Sequence, residues 1–207
     1  MAKKKITKKP SVKKTTTRTK VPLSAAKKVP LSAAKKIADK LESLVTPKGE
    51  SEAKSMVGQA APKLRVPATN GSGVSLGDLG GKRVVLYFYP KDATPGCTLE
   101  GYDFKRLKKD FDAENAEILG VSKDSLKSHQ NFKNKCGFPF ELLVDEEAKL
   151  CEAFDVIQMK SLYGRKYLGI ERSTFVLDEK GKVIREWRKV KVNGHAEEVL
   201  DYLRSLS

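Results

Sequence analysis

Between Arg83 and Tyr89 the chain reads RVVLYFY, a β-branched and aromatic run without polar alternation. Such a run fits a strand covered on both faces better than an edge strand. Pro90 ends it. Beyond Cys97, apolar residues at Leu99, Phe104, Leu107 and Phe111 among charged neighbours predict a helix with Cys97 in its first turn. Ala116–Ser122 (AEILGVS) predicts a second buried strand, Ser125–Lys135 a polar helix, Phe140–Val144 a short strand and Ala148–Phe154 a helix. Thr174–Leu177 and Val183–Trp187 predict a hairpin about Asp178-Glu179-Lys180-Gly181. His195–Leu206 predicts a last helix with Val199, Tyr202, Leu203 and Leu206 apolar. Ahead of these, the stretch from Gly58 predicts short strands separated by a turn at Asn70-Gly71-Ser72-Gly73. Strands and helices alternate, then close with a hairpin and a helix. That order indicates an α/β sandwich.

Composition divides the chain in two. Of its 207 residues, the first 60 carry 16 basic and 4 acidic side chains, a net of +12, whereas the remainder carries 25 and 22, a net of +3. A basic tail over 1–57 and a globular domain over 58–207 follow. Residues 1–38 contain 13 basic residues and no acidic one, too polar to bury a core, so the tail is expected to be largely disordered. VPLSAAKK occurs twice in succession, at Val21–Lys28 and Val29–Lys36. The second copy continues through Ile37, Leu41, Leu44 and Val45 as an apolar stripe, which predicts a short helix over 32–45. The lysine, alanine and proline texture resembles the tails of linker histones and bacterial histone-like proteins. That resemblance implies non-specific contact with nucleic-acid phosphates through Lys3, Lys4, Lys5, Lys8, Lys9, Lys13 and Lys14. A solubilising tail and an organelle-targeting peptide are the alternatives. No apolar run approaches the roughly 18 residues of a membrane span, and no hydrophobic segment follows MAKKKITKKP to act as a secretory signal. A soluble, cytoplasmic protein, associated with nucleoid or nucleus through its tail, is the expectation.

Three cysteines, without CxxC or Cys/His zinc spacing, argue against a disulfide scaffold or a structural metal site. Cys97 stands apart from the others because a strand delivers it into the start of a helix, in YFYPKDATPGCTLE. Free backbone N–H groups and the positive end of the helix dipole favour the thiolate there, which is the nucleophilic form. Thr94 can point a hydroxyl into the same pocket, and Pro90 and Pro95 can stiffen the turn and wall it from water. The competing reading is a small buried apolar residue.

Pro90-x-x-x-Thr94-x-x-Cys97 resembles the active-site signature of peroxiredoxins, and FYPKDATPGCTLEG is similar to the peroxiredoxin Q, or bacterioferritin-comigratory protein, branch. The likeness continues through DLGGKRVVLYFYP, ILGVSKDS, FPFELLVDE, LCEAFDV and GIERSTFVLDEKGKV, from about Gly58 to Leu206. It implies a thioredoxin-like fold, a three-layer sandwich with a mixed central sheet flanked by helices; a monomer is the separate expectation. It also implies a peroxidase without a cofactor or metal, acting on hydrogen peroxide or organic hydroperoxides and regenerated by thioredoxin or a similar thiol donor. Arg172, in GIERSTF, matches the family's active-site arginine; an ordinary surface charge is the alternative. Glu100 matches a position where a carboxylate or amide orients the site; the alternative is a favourable acid in a helix first turn.

The sulfenic acid formed at Cys97 needs a second thiol. Many relatives place one five residues after the first cysteine, where this chain has Tyr102; others place it on the following helix, near Lys133. Cys136 lies three residues, roughly one helical turn, beyond and is the candidate resolver, with direct reduction by an external thiol as the rival. Cys151 is expected to pack in the core. His129 and His195 are expected to be exposed or capping, and Asp145-Glu146-Glu147 to be a solvated acidic turn. A different class of function also fits: a nucleic-acid-associated protein whose thioredoxin-like body is catalytically idle.

Overall fold

The structure, a computed structural model, describes residues 53–206 except 78, 80 and 163. The tail lysines and the 32–45 helix lie outside the described residues.

The run from Arg83 forms β3 (Arg83–Phe88), the middle strand of a five-stranded sheet. On one side it pairs in parallel with β4 (Ala116–Ser122), which pairs in parallel with β5 (Glu141–Val144). On the other it pairs antiparallel with β8 (Ser173–Leu177), itself antiparallel to β9 (Val183–Trp187). The order β5-β4-β3-β8-β9 makes a mixed sheet. Two short strands, β1 (Arg65–Val66) and β2 (Val74–Ser75), pair antiparallel across the expected Asn70–Gly73 turn.

The missing polar alternation in β3 has its reason in the two cores. Val84, Leu86 and Phe88 enter one, and Val85, Tyr87 and Tyr89 the other. Four helices cover the second face: α1 (Pro95–Arg106), α2 (Lys108–Ala113), α3 (Leu126–Cys136) and α5 (His195–Arg204). The opposite face is covered by α4 (Lys149–Ala153) together with Met56, Val66, Leu76 and Ile170. Sheet between two helical layers is the thioredoxin-like arrangement. Met56, ahead of Gly58, already belongs to the core.

Three local expectations change. The helix after Cys97 breaks at Leu107, so Phe104 and Phe111 are buried on two successive helices, while Leu99 remains 45% exposed. The last helix stops at Arg204, because Leu206 finds no core to enter and is 41% exposed. Residues 157–170, which gave no strong pattern, form a hairpin of β6 (Ile157–Leu162) and β7 (Arg165–Ile170). Among the described residues no helix is long and apolar enough to cross a membrane.

Gly120 in β4 shows how tightly the helical face is packed. A Cβ there would lie 2.7 Å from the Tyr87 ring and 2.8 Å from Leu142 Cδ2. Gly120→Ala is therefore expected to cost roughly 1–3 kcal/mol through overpacking, read as a lower thermal midpoint; an unchanged midpoint would show that Tyr87 has room to move.

Candidate active site

β3 delivers the chain to the sheet edge at Phe88, and Pro90–Thr94 turns it into α1. Ala93 adopts φ 57°, a left-handed conformation in a residue other than glycine. Pro95 opens the helix, where its missing N–H costs nothing and its φ is already helical. The first intrahelical bond runs from the Thr98 N–H to the Thr94 carbonyl at 2.9 Å, so the Gly96 and Cys97 amides precede the bonded ladder. Cys97 is buried.

Arg172 lies 75 positions away in sequence, yet sheet register brings it to Cys97. In the antiparallel pair of β3 and β8, Ser173 stands opposite Phe88, so the residue before Ser173 emerges beside the turn that leads to α1. The Val190 N–H donates to the Arg172 carbonyl at 3.0 Å and fixes that backbone. Arg172 Nη2 lies 3.2 Å from Cys97 Sγ, and Nη1 donates to Glu100 Oε2. One guanidinium thus bridges the thiol and a carboxylate three residues further along α1. Cys97, Glu100 and Arg172 form a single cluster. A surface location for Arg172 is excluded by this placement.

Glu100 lies beyond the first turn of α1 and is buried. Burial pushes its carboxyl up to about 7 against the opposing pull of Arg172. Its second oxygen, Oε1, has no hydrogen-bond partner among the described residues. Burial, and after it the charges of Glu100 and Cys97, raises the phenol of Tyr87 well above its ordinary value. Lys160 of β6 is a further cation in the neighbourhood: burial lowers its ammonium, with the charges of Glu171, Arg172 and Cys97 acting on it, and Nζ donates to the Ile170 carbonyl.

Thr94 caps α1 in position only, since its hydroxyl donates to the Lys91 carbonyl at 3.0 Å instead of to a helix amide. Pro90 and Pro95 are both exposed, so they stiffen the turn without sealing it. Water is kept from the sulfur instead by the surrounding core and the guanidinium.

Cys136 is the last residue of α3 and is buried. Its carbonyl accepts from Lys105 Nζ at 2.7 Å, and the left-handed Gly137, φ 63°, ends the helix. Tyr102 lies against it, for hydrogen bonding with the Cys136 sulfur holds its phenol above the usual range. The residue standing at the family's other resolver position is thus a neighbour of Cys136. Cys97 and Tyr102 are five residues apart on α1, an axial rise of roughly 7.5 Å. Cys151 packs fully in the core, and burial followed by Asp145 pushes its thiol well up.

Both histidines depart from expectation. His129, Phe132 and Cys136 form the buried stripe of α3, and His129 is 0% exposed between Asp92 and the Leu143 carbonyl. His195 is buried at the start of α5, with Nε2 2.8 Å from Thr174 Oγ1, and burial lowers it to about 4. Asp145 also departs: it is buried and accepts from the Leu150 and Cys151 amides at 3.0 and 2.7 Å, while Glu146 and Glu147 face solvent. Asp145 alone of the three thus ties down the start of α4. Among the described residues no group of three or more His, Cys, Asp or Glu side chains is arranged to hold a metal ion.

Against known proteins, residues 57–186 match the model of the AhpC/TSA family. The chain is 52% identical over 151 residues to peroxiredoxin Bcp of Bacillus subtilis, covering 73% of this chain and 96% of that one. It is 53% identical over 142 residues to peroxiredoxin Bcp of Xanthomonas campestris, covering 69% and 89%. Among solved structures it is similar to bacterioferritin comigratory protein of Xanthomonas campestris, studied for alkyl peroxide reduction as a trapped intermediate and ligand complex. That match has a TM-score of 0.67 and 52% identity over 69% of this chain and 91% of that one. A peroxiredoxin Q structure from the same organism gives 0.69 and 50% identity, with 75% and 98% covered.

Two buried groups give stability opposite dependences on pH. Glu100, raised from 4.5 to about 7, stabilises the fold below about 4.5, and that contribution is lost as pH rises through 7. His195, lowered from 6.5 to about 4, stabilises it above about 6.5, and that contribution is lost as pH falls through 4. Each amounts to about 3 kcal/mol at most, so in the native chain they largely cancel. Chemical denaturation across pH 4–7.5 should find His195→Gln losing stability as pH rises and Glu100→Gln gaining it; parallel profiles for the two would contradict both assignments.

Proposed function

From the premise that this chain belongs to the AhpC/TSA family, in its peroxiredoxin Bcp branch, we propose that Cys97 is the peroxidatic thiol of a peroxidase reducing hydrogen peroxide and organic hydroperoxides. One observation carries the assignment of residues: Arg172 reaches Cys97 Sγ with one nitrogen and Glu100 with the other.

The Cys97 thiolate attacks the terminal oxygen of the peroxide. An S–O bond forms, the O–O bond breaks, and the electron pair leaves on the second oxygen, which takes a proton to become water or an alcohol. Cys97 is left as sulfenic acid, oxidised by two electrons. The sulfur itself supplies those electrons, so the step requires no cofactor. Negative charge passes from sulfur to the departing oxygen, and a fixed, partly buried guanidinium beside the sulfur stabilises that charge as it moves. Glu100 holds the fork in place through Nη1 and is a positioning residue. Thr94 and Pro90 shape the turn that presents the sulfur.

Cys136 is the thiol we assign to resolution: its attack on the sulfenic sulfur forms a disulfide and releases water, and an external dithiol such as thioredoxin then reduces that disulfide. The two sulfurs sit under different partners, Arg172 over one and Tyr102 over the other. A disulfide needs Cα atoms within about 7 Å, and we propose that the C-terminal end of α3, where Cys136 sits, opens to let the two sulfurs meet.

The basic tail supports a second role, attachment of the enzyme to nucleic acid through phosphate contacts, with a net of +12 over the first 60 residues as the observation. The full chain should retard duplex DNA at low salt and release it steeply as salt rises; no retardation at low salt would remove this role.

For the chemistry, Cys97→Ser should abolish peroxide consumption, and Arg172→Lys should lower kcat/KM roughly 100-fold, in line with loss of a fixed transition-state donor. Wild-type rates in either variant would overturn the assignment. Peptide mapping after one equivalent of peroxide should find Cys97 joined to Cys136; a persistent sulfenic acid beside an unmodified Cys136 would leave reduction to an external thiol.

A further inference from the structure

A second polar cluster lies next to the thiol site. Asp92 sits in the middle of the Pro90–Thr94 turn, five residues before Cys97, and is buried. Its Oδ1 accepts from the Tyr89 hydroxyl at 2.8 Å and its Oδ2 from the Ser128 hydroxyl at 2.7 Å. His129 Nδ1 lies 3.0 and 2.9 Å from the two oxygens. The Asp92 amide donates to Asp124 Oδ2 at 2.9 Å, and Ser122 Oγ donates to the same oxygen at 2.7 Å. On its other side the His129 ring presents Nε2 to the Leu143 carbonyl of β5 at 3.1 Å.

Both ring nitrogens therefore face acceptors. The ring thus ties the Asp92 carboxylate to the Leu143 carbonyl across the start of α3. Asp92 is suited to be the anion: burial raises its carboxyl, but bonds from His129, Ser128 and Tyr89 outweigh burial and hold it below the usual carboxylate value. A buried charge with its hydrogen bonds filled resists separation, since opening strands its partner.

This cluster grips only one end of α3. Ser128 and His129 stand at its start, and Cys136 is its last residue. At the far end the polar contacts are Lys105 Nζ on the Cys136 carbonyl, Lys133 Nζ on Glu141 Oε1 and the 44% exposed Tyr102, beside the ring contact of Phe132 with Phe138. The lysine and tyrosine side chains among these reach solvent, whereas Asp92 and His129 are enclosed.

We propose that Asp92 and His129 form a latch that pins the Cys97 turn to the start of α3 and confines opening of that helix to its Cys136 end. With the latch closed, Cys97 is held against Arg172 for the peroxide step while the far end of α3 frays and closes. Released, opening spreads back to the turn, so the peroxide step slows and encounter with the second thiol quickens. Both are positioning residues, acting on the sulfur through the turn. The effect on disulfide formation rests on Cys136 as the resolving thiol; the pinning of the helix does not.

Hydrogen exchange on the reduced full chain, read by mass spectrometry, separates the two. Amides of residues 129–131 should exchange at least tenfold more slowly than those of 134–137. Asp92→Asn should erase that difference, slow sulfenic acid formation in stopped flow roughly tenfold, and speed its conversion to disulfide at least threefold. Val199→Ala in α5 serves as a matched core destabilisation and should leave the ratio of the two steps unchanged. Equal exchange at both ends in the native chain, or an Asp92→Asn exchange pattern and step ratio like those of Val199→Ala, overturns the latch. Should Asp92→Asn fail to fold, Ser128→Ala removes one donor and must shift exchange the same way to a smaller extent, and no shift overturns the proposal. If the native chain forms no Cys97–Cys136 disulfide, the resolver reading fails while the exchange contrast still decides the latch.

Discussion

A single guanidinium holds the site together. Arg172 donates to the Cys97 sulfur and to Glu100 at once, and each of those groups is otherwise enclosed in apolar surroundings. Without it the site would contain a buried thiol and a buried carboxyl three residues apart on one helix, both poorly solvated. With it, the two acceptors share a cation that burial does not neutralise, because arginine keeps its charge where lysine gives it up. In the proposed peroxide step the same bridge supplies a donor fork already aimed at sulfur, which needs no reorganisation as charge moves to the departing oxygen.

The fold exists, in functional terms, to keep that bridge in register. β3 carries the thiol turn and β8 carries the arginine, and their antiparallel pairing sets Phe88 opposite Ser173. Both strands are buried on both faces, so a slip of one residue would exchange the two cores and is strongly resisted. Cys136, the thiol we assign to resolution, sits at a helix end beside Lys105 and Tyr102. Rigid register at one sulfur and a solvent-facing cover at the other are what the proposed cycle asks of its two steps.

The sheet was legible because its strands are apolar on both faces, and Cys97 because it lies at a strand-to-helix turn dense in Pro, Thr and Gly. Arg172 was reached only through family resemblance: no local pattern distinguishes it from other arginines, and sheet register is what joins it to the site. The histidines were misjudged because the helix carrying His129 is polar in composition. The spacing of His129, Phe132 and Cys136 marks a buried stripe, and the Asp92 partner that makes burial of an imidazole tolerable lies 37 residues earlier. Hairpin β6–β7 gave a weak signal for a physical reason as well. It is largely exposed, with Met159 61% and Leu168 62% accessible, so burial imposed little alternation on it. Lys160, which it brings toward the thiol, went unrecognised with it.

The claim on which the rest stands is that Glu100 acts on the thiol only by way of Arg172. A double-mutant cycle on the second-order rate of Cys97 oxidation by peroxide tests it directly. If the bridge is the operative unit, Arg172→Gln combined with Glu100→Gln is no slower than Arg172→Gln alone. Two losses that simply multiply would mean the carboxyl and the guanidinium act independently, and the bridge would not be what organises the site.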